Sequence, residues 1–211
     1  MPPRRRLAPD QRRAELLDVG AQLFGELPYE QVQMDRVAER AGVSRALLYR
    51  HFPKKSVLFA AIYQRAAEQL QAEIRIEPDL PLTDQIAAGL DAHMDYFAAN
   101  RHTVLAANRD LAGDPVVQAI VLGDHRAMHD VMLAATGLSG AQRATMSAAL
   151  TSWLMFVHTL CLEWLEHDRL TRDQVRTASL GALTGMIAAL EDSVAREPGR
   201  GSNRRGSSIG G

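Results

Sequence analysis

The residues with the most chemical reach are concentrated between Gln33 and Lys55 of this 211-residue chain. Arg45, Tyr49, Arg50 and His51 fall on one short stretch, and Lys54 and Lys55 follow directly. An arginine can give two parallel hydrogen bonds to a guanine edge through O6 and N7. Lysines and the free N–H groups of a helix start hold phosphates without reading sequence. Together these residue types suit the major groove of DNA. A second grouping, His125 and His129 one helical turn apart with Asp124 and Asp130 alongside, has metal-ligand spacing, and Asp91, His93 and Asp95 could complete such a site. Arg126, however, stands where a zinc-protease helix needs glutamate. A solvated or structural pair is therefore the reading, with no metal and no cofactor. No P-loop, dinucleotide fingerprint, nucleophile elbow or zinc-finger spacing occurs, and no enzymatic activity is expected.

Positioning these groups falls to the stretch from Val32 to Phe59. Met34, Val37, Ala38 and Ala41 recur at helical spacing, Gly42 is a C-terminal stop, and Ser44 can cap a new helix. Two short helices joined by so tight a turn are a helix-turn-helix signature. The second, Ser44 to His51, carries the cationic and aromatic tips, with Leu47 and Leu48 as apolar contacts. Pro53 allows a fresh start. Ahead of this unit, Asp10 is expected to cap a helix whose face is Leu16, Leu17, Gly20, Ala21, Leu23 and Phe24, ended by Leu27-Pro28-Tyr29.

The segment resembles the N-terminal DNA-binding domain of the tetracycline-repressor (TetR) family. Val37-Ala38, Ala41-Gly42-Val43-Ser44, Leu48-Tyr49, His51-Phe52, Lys55 and Leu58 match that family's pattern in order and spacing, as do Leu17, Ala21 and Phe24 in the first helix. The resemblance implies base-edge contact by Arg45, Ala46 and Tyr49, with Arg50 beside them, and phosphate contact by Tyr49, His51 and Lys55. Three positions depart from the pattern. Gln33 stands for a capping, phosphate-binding Thr or Ser, Leu47 for a Thr, and Pro28 for a Gly. Leu47 is placed to meet a thymine methyl. The resemblance also implies a small-molecule pocket in the body, for which Tyr63, Met94, Phe97, Met128, Met132, Trp153, Phe156, His158 and Trp164 are candidates; aromatic and Met walls suit an apolar effector. The competing account of each is plain core.

The rest of the chain reads as helices, giving an all-α protein of about nine. A long fourth helix from Lys54 to about Arg75 joins the two parts as their only continuous link. Others follow at about 83–99, onward to Leu111, from Asp114-Pro115 to Thr136, and at about 140–167 and 172–195. Ser139 with Gln142, and Thr171 with Gln174, have capping-box spacing. On the last helix Ala178, Ala182, Gly185 and Ala189 form a small-residue stripe opposite Leu180, Leu183, Ile187, Leu190 and Val194. Two apolar faces need two partners, so a homodimer through the last two helices is expected, reading a palindromic DNA duplex with one head per half-site.

Residues 1–9 read as a basic arm, 10–56 as the DNA-binding domain, 57–195 as the ligand-binding and dimerisation body, and 196–211 as a disordered Gly/Ser/Arg tail. Residues 1–60 hold 11 Arg/Lys against 7 Asp/Glu, while 61–195 hold 9 against 17, so only the N-terminal end favours phosphate. A single cysteine, Cys161, fits a reducing cytoplasm. The most apolar run, Trp153 to Leu165, is broken by His158 and Glu163 and too short to span a bilayer, so no membrane partner is expected. The leading reading is a ligand-released repressor. The alternatives are an effector-independent or architectural DNA-binding protein of the same fold, an activator, or an all-helical enzyme or carrier.

Overall fold

A computed structural model describes residues 8–73, 81–167 and 169–196, and all regular structure among them is helical. Helix α1 (Pro9–Glu26) opens on a proline whose fixed φ suits a first helical position. Asp10, expected as its cap, lies instead in the first turn, where its charge faces the positive end of the helix dipole. A single 3-10 turn (Tyr29–Gln31) leads to α2 (Met34–Arg40), α3 (Arg45–His51) and α4 (Lys55–Glu73). The turn between α2 and α3 depends on Gly42 at φ 63°, a left-handed conformation that a side chain would strain.

The body comprises α5 (Leu82–Ala99), α6 (Arg101–Leu105), α7 (Pro115–Ala135), α8 (Gly140–His167) and α9 (Arg172–Arg196). The sixth helix does not run to Leu111 as one piece: α6 passes into a π-helical turn at Ala106–Asp110. Asp114 caps α7, its Oδ1 accepting from the N–H groups of Val116 (3.0 Å) and Val117 (3.2 Å). Thr171 and Gln174 form the expected reciprocal capping box on α9. Ser139 and Gln142 form no such box at α8, where Gly137 and Gly140 both take positive φ. The arm at 1–7 and the tail from 197 lie outside the described residues.

The head's core is aromatic. Phe24 and Tyr29 each meet Phe59 edge-on at 5.2 and 5.5 Å, and Tyr63 stacks on Phe59 at 5.9 Å. Gly20 lets α1 and α4 cross closely, since a Cβ there would lie 2.7 Å from the Ile62 Cδ1. Ala106, Ala107, Leu111, Val117 and Val121 join the same cluster, so the π-turn and α7 pack directly on the head. A second cluster fills the body, built on Leu90, Met94 and Phe97 of α5, Met132 and Leu133 of α7, Leu150, Trp153, Val157, Cys161, Leu162 and Leu165 of α8, and Val175 and Leu183 of α9.

Two expectations change here. Helix α4 is not the only link between head and body, because His102 Nδ1 of α6 lies 3.0 Å from the Gly25 carbonyl near the end of α1. And α8, at 28 residues, is long and apolar enough by length and composition to cross a membrane. The shorter run noted in the sequence understates it. One face of α8 is packed into the body core, while Met155 and Phe156 on the other are 39% and 43% exposed.

Candidate nucleic-acid interface

The recognition surface is built outward from Leu48, which is fully buried on α3 against Val37 and Ala38 of α2. Fixing that one side turns Arg45, Ala46, Tyr49 and Arg50 out to solvent. Ser44 caps the helix by accepting from the Leu47 N–H at 3.3 Å, so the first turn is ordered where it meets a ligand. Leu47 is half-buried beside this face. Phe52 is buried and carries the Arg13 guanidinium 5.3 Å above its ring. His51 is half-buried with its ring tilted against Phe52. Gln33 is exposed at the start of α2 and makes no capping bond, as its departure from Thr or Ser suggests.

The charged groups divide into those engaged within the protein and those left for a ligand. Arg45 is 72% exposed but paired with Asp35 of α2 at 2.9 Å. Arg40 forks onto Glu26 at 2.8 and 2.9 Å and holds that carboxyl below its usual pKa, fastening α2 to the end of α1. Arg65 of α4 pairs with Asp18 of α1 at 2.8 Å. Arg36, Arg50 and Lys54 stand exposed. Lys55, expected on a phosphate, is turned inward. Its Nζ donates to the Tyr29 carbonyl at 2.8 Å and lies 4.2 Å from the centre of the Tyr29 ring, and burial pushes its pKa down. Sequence spacing gives no signal for the Asp35–Arg45 pair or for Lys55 on Tyr29. Each joins residues at least ten positions apart on different elements.

The nine body candidates do not gather into one cavity. Tyr63 is head core, and burial raises its pKa. Trp153 is body core, its Nε1 donating to the Ser179 carbonyl at 2.8 Å. Phe156, expected on a pocket wall, stands exposed on the surface instead. Trp164, Met128 and Met132 belong to the body cluster. Met94, Phe97 and His158 do come together, with Phe97 and His158 edge-on at 5.9 Å. Two clefts of roughly 360 and 320 Å³ among the described residues lie elsewhere: one between Pro28, Tyr29, Arg101 and Arg109, the other along α4 beside Tyr96.

His125 and His129 do not share a site. His129 engages Asp130 (2.9 Å) and the Ser147 hydroxyl (3.0 Å), whereas His125 lies edge-on to His158 at 4.5 Å. Asp91 and Asp95 are held by Arg172 and Arg176. Among the described residues Glu163, Glu166 and His167 do approach one another, but Arg109 pairs with both carboxylates. The small residues Ala178, Ala182, Gly185 and Ala189 are all exposed on α9.

A capped recognition helix, its arginines and tyrosine turned outward from an aromatic three-helix head, defines a helix-turn-helix DNA-binding protein. Residues 16–62 match the sequence profile of the bacterial regulatory proteins, tetR family. That match gives the head of this chain as a DNA-binding domain of that family. It is 27% identical over 168 residues to the transcriptional activator FasR of Mycolicibacterium smegmatis, covering 78% of this chain and 77% of that protein. It is 36% identical over 63 residues to the nucleoid occlusion factor SlmA of Alteromonas mediterranea, about a third of each chain. In fold it is similar to a tetR-family regulator from Streptomyces coelicolor (TM-score 0.76, 24% identity, 92% of this chain and 93% of that one). It is also similar to FadR of Bacillus subtilis, solved with stearoyl-CoA (TM-score 0.61, 15% identity, 83% and 97%).

Proposed function

We propose that the protein is a homodimeric, cytoplasmic repressor that grips a palindromic operator and lets go when a small, mostly apolar effector binds its body. The observation that carries this reading is the outward face of α3, where Arg45, Ala46, Tyr49 and Arg50 stand clear of the protein while Leu48 anchors the helix. Arg45 or Arg50 takes a guanine edge; Arg36, Lys54 and Tyr49 hold phosphates. His51 and Gln33 flank them. The dimer forms through α8 and α9, whose outer faces carry Met155, Phe156 and the Ala178–Ala189 stripe in the open. Small residues let helices approach closely, which suits a four-helix contact.

An effector acts by favouring one spacing of the two heads over another, since affinity alone shifts no equilibrium. The test is binding of the full-length protein to the DNA upstream of its own gene, followed by fluorescence anisotropy with a shuffled duplex as competitor. Selective binding that falls steeply with salt supports the reading, and equal affinity for both duplexes refutes it. The FasR relative, an activator by name, favours a second sign of regulation. In vitro transcription from the same promoter separates the two. Output suppressed by the protein means repression; output raised means activation.

A further inference from the structure

Three histidines on three helices meet inside the body: His93 of α5, His125 of α7 and His158 of α8. The His93 ring centre lies 4.1 Å from that of Phe97, Phe97 lies 5.9 Å from His158, and His158 lies 4.5 Å from His125. The hydrogen-bond network fixes one of them. Asn108, in the π-turn, donates through Nδ2 to the Val104 carbonyl at 2.9 Å, so its Oδ1 must be the atom facing His158 Nε2 at 2.9 Å. His158 therefore carries its proton on Nε2 and offers a bare lone pair on Nδ1. The Nδ1 of His125 is enclosed and has no aligned partner. The Val121 carbonyl one turn back is close enough to favour the protonated ring, but does not accept a bond. His93 has no hydrogen bond to another described residue.

Unsatisfied polar atoms in a core are costly, and π-turns recur where function requires an irregular helix. The three histidines are part-buried rather than sealed, and Met94, Met128 and Phe97 of the body cluster lie on the same helices, of which the methionines repack easily. The charged neighbours have a definite sign. Burial is the main influence that disfavours a proton on His158, and the other two rings and then Arg109 of the π-turn add to it. Burial does the same for His93 and His125. Of the nearby carboxylates, Asp124 of α7 is bonded to Gln71 of α4 and acts on the phenols of Tyr63 and Tyr96, while Glu163 and Glu166 of α8 are taken up by Arg109. Cys161 of α8 is held as the thiol by burial. The cluster thus holds proton acceptors to which no described carboxylate is bonded, and its one nearby cation, Arg109, is shared with Glu163 and Glu166.

We propose that the His93–His125–His158 cluster is the head-group site of the effector, and that the effector is an apolar carboxylic acid. This rests on the effector-released reading above and names the chemistry of its ligand. The acid's O–H proton passes to an imidazole nitrogen, leaving a carboxylate against an imidazolium in a dry setting. An acid that arrives already ionised brings one proton from solvent with it. The apolar chain lies among Met94, Phe97 and Met128. Drawing His158 toward the carboxylate takes its N–H from Asn108, which releases the π-turn. The adjoining α6 holds the end of α1 through His102, so the head moves with it.

The test is isothermal titration calorimetry of the full-length protein without DNA. Octanoate and 4-phenylbutyrate are compared with octan-1-ol, 4-phenylbutan-1-ol and methyl octanoate, in phosphate and in Tris. Expected are acids binding at least about tenfold more tightly than alcohols or ester, uptake of about one proton per site, and affinity falling roughly tenfold per pH unit above neutrality. His125→Phe and His158→Phe lose that selectivity. Should they misfold, 15N spectra of the intact protein must still show a histidine gaining a proton when octanoate is added. Equal binding of acid and alcohol, pH-independent affinity, or no acid binding by a protein that still binds its operator overturns the proposal. Failure of operator binding in the absence of any acid instead overturns the regulatory reading.

Discussion

Lys54 and Lys55 are neighbours that the structure gives opposite duties, and exchanging each for alanine separates them. The Lys55 ammonium donates to the Tyr29 carbonyl at 2.8 Å and lies 4.2 Å over its ring, joining the start of α4 to the turn after α1. A hydrogen bond to a charged group contributes about 1.5–3 kcal/mol, and a partly exposed cation–π contact about 0.5–1. Discounted for the solvent that still reaches this half-buried group, Lys55→Ala costs about 2 kcal/mol. In a chain of this size that lowers the melting temperature by roughly 4–8 °C. Lys54 is exposed, so Lys54→Ala leaves the melting temperature unchanged. If Lys54 holds a phosphate, its loss reduces the slope of log affinity against log salt by about 0.9. Differential scanning calorimetry and operator anisotropy between about 50 and 200 mM salt measure both quantities. The reasoning fails if Lys55→Ala melts like the wild type and takes the salt slope instead.

Arg45→Ala is expected to lose about 1–3 kcal/mol of discrimination at one base pair while the fold is unaffected, since its pairing with Asp35 is a surface one. Selection from a randomised operator would show the relaxed position; unchanged selectivity assigns the reading to Arg50. Asp35→Asn frees Arg45 and removes a negative charge from the DNA face, so affinity rises a few-fold in anisotropy. Acid lowers stability in a defined window. Burial holds His93 at about 4 and His158 at about 3, against an ordinary value of 6.5. Between those values the unfolded chain binds more protons, so stability is full above pH 6.5 and is lost as pH falls through 6.5 toward 4. Glu26 and Glu166, whose values lie below the usual 4.5, add their loss only at lower pH. Melting temperatures recorded from pH 7.5 to 5 should decline, and His158→Phe should flatten the decline. Ala182→Glu places a charge on the exposed stripe of α9 and should give a folded monomer by sedimentation, whereas an intact dimer would move the interface elsewhere.

The head was legible because its determinants are local. Ser44 capping α3, Gly42 in the turn, and Asp114 with Pro115 opening α7 each act within a few residues, and the geometry matches them. The periodicity of Leu16, Leu17, Leu23 and Phe24 likewise gives the buried face of α1. What escaped depends on which distant surfaces meet. Asp10 has capping chemistry, but α1 begins ahead of it, and Ser139 stands at the start of α8 without its side chain making the cap. Phe156 and Trp153 lie on the same apolar helix and read alike, yet one faces out and the other bonds to α9. The meeting of His93, His125 and His158 draws on helices far apart in the chain, and the irregular turn carrying Asn108 has no composition of its own. One turn separates His125 from His129 along the helix, whereas the ring that His125 actually meets comes from α8.

The central claim is that two copies present their α3 helices to one symmetric site. Hydroxyl-radical footprinting of the full-length protein on its own upstream DNA, with the mass of the same complex measured by sedimentation equilibrium, tests it most directly. The account predicts at least two chains per duplex and two protected half-sites related by symmetry, roughly 34 Å or a multiple of it apart. A single chain on one unrepeated site, or protection without symmetry, would contradict it.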